Sequence, residues 1–181
     1  MKLYVIRHGQ TMMNVLKLIN GHNEIGLNLK GKIEAAKAAD AMENEHIDMV
    51  FCSPLKRTKQ TCNIINSKNI EVIYEPRLKE RDAKSLQFTS ENKIKLDEWY
   101  DLSKDVLYKD TEGFKSVCSR ISEFLKELEA NYPDKSIMLV THGDVCKAIY
   151  THYFNLKSAD EISSFYQDNC EIKKYTVEKG R

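Results

Sequence analysis

The chain has 181 residues, 41% hydrophobic, with 28 Lys and Arg against 27 Asp and Glu for a net charge of +1. That length suits one domain, 1–181, with a full core. With charges balanced and no basic stripe, nucleic acid is not an expected partner, and no apolar run is long enough to span a bilayer.

Taken in chain order, Leu3–Ile6 is the first predicted strand, entered without the apolar stretch of a signal peptide. A helix-like Thr11–Leu18 and a turn-rich stretch from Asn20 to Asn28 follow. The next helix, about Leu29–Glu45, carries Ala35, Ala36, Ala38, Ala39 and Met42, a small-residue face suited to close packing on a sheet. Asp48–Cys52 reads as the second strand, Leu55 to about Asn66 as a helix and Ile70–Tyr74 as the third strand. From Glu75 to Asp110 the pattern is least regular. Trp99-Tyr100 in it suit either a cap over a site or a satellite core, and Lys93, Lys95, Lys104 and Lys109 alternate with acids as on a solvated helical face. Phe114–Leu128 repeats apolar residues at helical spacing, Ser136–Val140 is another buried strand, and Asp144–Tyr153 another helix. Ile162–Tyr166 and Cys170–Val177 are expected to finish the sheet as a hairpin over Asp168-Asn169. The alternation predicts an α/β, three-layer fold: a mainly parallel mixed sheet flanked by helices, with the active site at the carboxyl ends of the strands. Five cysteines without a CxxC pair argue against a disulfide framework and for a reduced, cytoplasmic setting.

Three predicted strands break into their following helices at residues that carry chemistry. The first ends in Arg7-His8-Gly9, the second in Ser53-Pro54 with Arg57 just inside the helix, and the fourth in Thr141-His142-Gly143. Helix N-termini there offer free N–H groups and a positive dipole end, both suited to phosphate. A phosphate monoester brings two negative charges, which two arginines can grip with bidentate bonds. A neutral imidazole is a competent nucleophile near pH 7 when its other ring nitrogen donates to a carbonyl. The second histidine would donate to charge building in the transition state. A carboxylic acid is still needed to protonate the leaving oxygen.

On these residues the sequence resembles the histidine phosphatase (phosphoglycerate mutase-like) superfamily. Arg7-His8-Gly9-Gln10-Thr11 with Asn14 is similar to its signature, and Asn20-Gly21 and Leu27–Gly31 to its next stretch. Ser53-Pro54-Leu55-Lys56-Arg57-Thr58 resembles the block bearing its second arginine, Glu80-Arg81 its Glu-Arg pair, and Val140-Thr141-His142-Gly143 its second-histidine block. The resemblance implies that His8 is phosphorylated, that Arg7, Arg57 and His142 hold the phosphoryl group, and that Glu80 is the proton donor. By the same resemblance Asn14, Asn20, Gly21, Arg81 and Gly143 bind substrate, and a small cap spans about 84–110. No cofactor and no metal are implied. The pattern departs from the family's where Lys84 and Phe88 replace glycines of the proton-donor loop, and at Glu24 and Gly26.

A phosphatase acting on a small phosphorylated metabolite is the expected function. A bisphosphoglycerate-dependent mutase is the runner-up, disfavoured because the stretch from Phe88 to Thr111 is short and lacks arginine. A regulatory phosphate-binding module and a metallohydrolase using His8, His142 and Glu80 are further alternatives. Oligomeric state is not legible at this level.

Overall fold

The computed structural model describes residues 1–107 and 110–177, so Lys109 lies outside the described residues. A five-stranded sheet is built from β1 (Lys2–Arg7), β2 (Met49–Cys52), β3 (Val72–Tyr74), β6 (Ser136–Thr141) and β7 (Ile172–Thr176). Between them come α1 (Met12–Leu16), α2 (Leu29–Met42), α3 (Lys56–Ile65), α4 (Leu96–Trp99), α5 (Phe114–Asn131), α6 (Gly143–Phe154) and α7 (Ala159–Ser164). A two-stranded ribbon, β4 (Val106–Leu107) with β5 (Thr111–Glu112), precedes α5. The sheet order is β3-β2-β6-β1-β7, with four strands parallel and β7 antiparallel to β1 at one edge.

Strand side chains alternate between two buried layers, as a sheet covered on both faces requires. Leu3, Val5, Ile137 and Leu139 pack with Val117, Ile121, Phe124 and Leu125 of α5 and with Val145 and Ile149 of α6. Tyr4, Ile6, Met138 and Val140 pack on the other side with Ala35, Ala38 and Met42 of α2 and with Cys62 and Ile65 of α3. The small-residue face of α2 therefore lies against the sheet, as its alanines predict. All five cysteines are unbridged, and four are buried.

One predicted element is overturned. The expected strand at Ile162–Tyr166 is instead α7 with its following turn, so Cys170–Val177 enters the sheet alone, as β7, without a hairpin partner. The cue was present in the sequence: Ser158 and Glu161 form a capping box, the side chain of each accepting the other's backbone N–H. That reciprocal satisfaction of free helix donors outweighs the β propensity of Ile162 and Phe165. The irregular reading of Glu75 to Asp110 holds for the described residues, which carry three 3₁₀ turns (Pro76–Leu78, Lys84–Leu86, Glu91–Lys93), α4 and β4.

Backbone contact at the end of β1 fixes where the next loop runs. A Cβ on Gly31, in the first turn of α2, would lie 2.2 Å from the carbonyl oxygen of Gln10, and one on Gly9 would lie 2.4 Å from that of Gly31. Only two glycines let the loop after His8 and α2 meet this closely. Gly31→Ala should therefore cost about 1–3 kcal/mol through backbone displacement. Urea unfolding checks this, and an unchanged midpoint would show that the two backbones separate freely.

Candidate active site

The parallel register of β1 and β6 pairs Arg7 with Thr141 and so sets His8 beside His142. His8 N–H donates to the Thr141 carbonyl at 2.9 Å, and the imidazole centroids lie 5.2 Å apart. Ser53 N–H donates to the Val140 carbonyl at 3.0 Å, which brings the end of β2 to the same place. Arg57, in the first turn of α3, reaches across from there.

The His8 ring is buried, and its Nδ1 lies 2.8 Å from the Gly9 carbonyl oxygen. A carbonyl only accepts, so Nδ1 carries the proton. Burial, with the charges of Arg57 and Arg7 adding to it, holds the ring well below its ordinary pKa. His8 is therefore neutral at pH 7, and its Nε2 keeps a free lone pair.

Arg57 is fully buried. Its Nη2 and Nη1 donate to the carbonyls of Gly21 (2.8 Å) and Asn23 (2.9 Å), and its Nε donates to His142 Nδ1 at 3.1 Å. Burial lowers its pKa to about 10, which still leaves it charged at pH 7. Arg7 donates from Nη1 to the Gln167 carbonyl at 2.8 Å, while its buried Nε has no partner.

Glu80 stands at the N-terminus of α6. Its Oε2 accepts from Gly143 N–H (3.1 Å), and its Oε1 from Asp144 N–H (3.2 Å) and Arg81 N–H (3.0 Å). These bonds and the two nearby arginines favour the carboxylate, but burial and then the charge of Asp144 outweigh them, raising the pKa to about 7. The acid form is thus well populated up to that pH and lost as pH rises through it.

A cavity of about 650 Å³ opens over these groups, lined by Arg7, His8, Asn14, Asn20, Gly21, Arg57, Glu80, Arg81 and Gly143 among others. Nine of the ten expected site residues reach its wall. The exception is His142, which is fully buried behind it: with Arg57 donating to Nδ1, its proton sits on Nε2, 2.7 Å from Ser53 Oγ. In this arrangement both ring nitrogens of His142 are engaged, one by Arg57 and one by Ser53. Two other expected contacts have donors already engaged. Arg81 donates from Nε to the Glu112 carbonyl (2.6 Å) and from Nη1 to the Trp99 carbonyl (2.7 Å), and Gly143 N–H holds Glu80. Asn14 Oδ1 caps α1 through Thr11 N–H at 2.9 Å. Both polar side-chain atoms of Asn20 are buried and unpartnered, as a ligand-binding amide would be.

Three other carboxylates of these loops are engaged elsewhere. Glu24 accepts Lys56 N–H at the start of α3, Asp82 accepts Lys84 N–H, and Glu112 pairs with Arg120. His22 turns away from the cavity and donates to the Glu80 carbonyl at 2.7 Å. The two departures in the Glu80 loop, Lys84 (φ 32°) and Phe88 (φ 64°), hold the left-handed conformation that glycine adopts at no steric cost.

What sequence reasoning missed is the wall formed by 166–169. Gln167 lines the cavity, and Asn169 Nδ2 donates to the His8 carbonyl at 2.8 Å. No motif marks these residues, and the expected hairpin put Tyr166 at the end of a strand and Asp168-Asn169 in its turn. Trp99 and Tyr100 are buried and also line the cavity. Among the described residues, no group of three His, Cys, Asp or Glu side chains is arranged to hold a metal ion, and no helix is long and apolar enough to cross a membrane.

Two arginines, an unprotonated imidazole nitrogen and a carboxylic acid around one cavity define a protein that handles phosphate esters. The histidine phosphatase superfamily (branch 1) matches residues 3–181, and the chain belongs to that family as a phosphoric monoester hydrolase. It is 29% identical to phosphoserine phosphatase 1 of Hydrogenobacter thermophilus, covering 97% of this chain and 85% of that one. It is 30% identical to a metal-independent phosphoserine phosphatase of Arabidopsis thaliana, covering 89% and 72%. The solved structure of Bacillus stearothermophilus YhfR shares the fold, with a TM-score of 0.87 at 22% identity over 99% of this chain and 92% of that one.

The Glu80 carboxyl should titrate near pH 7, well above an ordinary carboxylate. Carbon-13 NMR, with the signal assigned by its loss in Glu80→Gln, measures this directly. A midpoint in the usual carboxylate range would mean that water reaches the site freely.

Proposed function

We propose that the chain hydrolyses a small phosphomonoester by transferring its phosphoryl group to His8 Nε2 and then to water, in one catalytic domain whose residues 84–110 act as a cap. The observation that carries this reading is the buried, neutral His8, proton on Nδ1, beside two guanidinium groups. Arg7 and Arg57 neutralise the phosphoryl oxygens, with the orphaned Nε of Arg7 and the amide of Asn20 completing the grip. Asn14 and Gly21 bound the substrate, while Arg81 and Gly143 shape the wall and hold Glu80.

In the first step the Nε2–P bond forms as the P–O bond to the leaving group breaks, and the Glu80 carboxyl proton passes to the leaving oxygen. In the second step water attacks phosphorus, Glu80 takes its proton, and the Nε2–P bond breaks. His142 donates from Nε2 to Ser53 Oγ and accepts Arg57 Nε–H at Nδ1, so it helps to hold the phosphoryl group through Arg57. The cavity volume of about 650 Å³ falls within the range of small-molecule sites. Four buried, unbridged cysteines suit a reducing cytoplasm.

Brief mixing with substrate in EDTA, followed by mass spectrometry without acid, should find added phosphate on the peptide containing His8. Label on Ser53 or a cysteine, or a strict need for a divalent ion, would overturn the assignment.

General acid catalysis is worth about 10²–10⁴-fold. An alkyl alkoxide needs the proton far more than a nitrophenolate does. Where phosphorylation of His8 limits the rate, Glu80→Gln should lose a factor in that range on an alkyl phosphate and far less on p-nitrophenyl phosphate. Equal small losses on both, with no accumulating phosphoenzyme, would make Glu80 a bystander.

A further inference from the structure

The second residue of α6, Asp144, is not needed by the mechanism above, yet it touches both the proton donor and the cap. Its N–H donates to Glu80 Oε1 at 3.2 Å. Its carboxylate accepts Trp99 Nε1–H at 3.0 Å and Tyr100 O–H at 3.1 Å, and Arg81 Nη1 lies 3.7 Å away. Arg81 in turn lies over the Trp99 ring at 3.9 Å and is the chain neighbour of Glu80. Trp99 and Tyr100 lie at the end of α4, so these bonds fasten the cap to the helix on which Glu80 rests.

We propose that Asp144 is a positioning residue that couples docking of the cap to the readiness of the proton donor: while it holds Trp99 and Tyr100 down, Glu80 is partly shielded from water beside a second negative charge and keeps its proton. The proposal rests on the reading of Glu80 as general acid. A carboxyl group keeps its proton near neutral pH only where the charged form is disfavoured, by low dielectric or a like charge. Asp144 supplies both, the like charge directly and the low dielectric through the indole and phenol it anchors.

Charges from the other elements act the opposite way or point elsewhere, apart from Glu91, a carboxyl on the same cavity wall whose pKa burial raises. Arg7 of β1 and Arg57 of α3 favour ionised Glu80. His22 and Arg120 of α5 reach its carbonyl oxygen rather than its carboxylate. Tyr100 and Cys146, pushed upward by burial, stay neutral near pH 7. That leaves Asp144 as the negative charge acting on Glu80 from α6.

Asp144→Asn keeps shape and removes the charge. Its Glu80 carboxyl, followed by carbon-13 NMR, should titrate lower by about one unit, and the alkaline limb of kcat/KM should move down with it. Trp99 is the only tryptophan in the chain, so its emission reports cap docking and should shift to the red. Trp99→Phe retains the charge but loses one anchoring bond, and should reproduce a smaller fall in the Glu80 midpoint. A midpoint unmoved in Asp144→Asn overturns the proposal even if turnover drops, because a merely structural role would lower turnover alone. A fall in Asp144→Asn with none in Trp99→Phe and no change in emission overturns the coupling to the cap. The NMR midpoint does not depend on turnover, so failure here is distinct from failure of Glu80 as general acid, which the leaving-group comparison decides.

Discussion

Two guanidinium groups held in one buried cavity, beside two imidazoles that stay neutral, are the constraint on which the rest of the structure depends. Removing charge from water costs several kcal/mol per ion unless partners compensate. Here the partners are chiefly main-chain carbonyls, Gly21 and Asn23 for Arg57 and Gln167 for Arg7, from segments far apart in the sequence. Carbonyl dipoles steady a cation without neutralising it. The net positive charge remains available to an anion, and burial, with the same field adding to it, keeps His8 and His142 neutral. One arrangement therefore suits both the binding of a phosphate and the proposed role of His8 as nucleophile.

The proposed proton donor is set by an opposing balance. Glu80 sits where a helix N-terminus and two arginines favour its ionised form, yet burial and Asp144 raise its pKa to about 7. A carboxyl poised near neutrality serves as acid in one half-reaction and base in the other. This poise depends on a segment with little regular structure, pinned by a few bonds. Ile19 and Phe88–Thr89 exchange main-chain bonds, and Trp99 and Tyr100 reach α6.

Strands with period-two burial were legible because a sheet covered on both faces demands continuous apolar runs, and Leu3–Ile6 and Ser136–Val140 have them. The clustering of His8, His142 and the arginines was legible because strand ends bearing Arg-His-Gly and Thr-His-Gly converge in a parallel sheet. The 162–166 segment was misread because short apolar runs suit strand and helix alike, and its capping box decided for helix. The 166–169 wall carried no signal. Its contribution comes from the Gln167 carbonyl, a group every residue has, and from where the chain passes Arg7 and His8.

By itself the sequence determined which groups are chemically competent, which segments bury themselves, and the order in which those segments follow one another. Only the tertiary structure decided how the competent groups are shared out. It turned His142 toward Ser53 and Arg57 behind the cavity wall, engaged Arg81 with the Glu112 and Trp99 carbonyls, and placed Asp144 between cap and proton donor. Each of these outcomes depends on distances of about 3 Å between residues tens of positions apart. Local propensity and side-chain type act within a few residues along the chain. Contacts of that separation are settled by sheet register and by the path of the intervening loops.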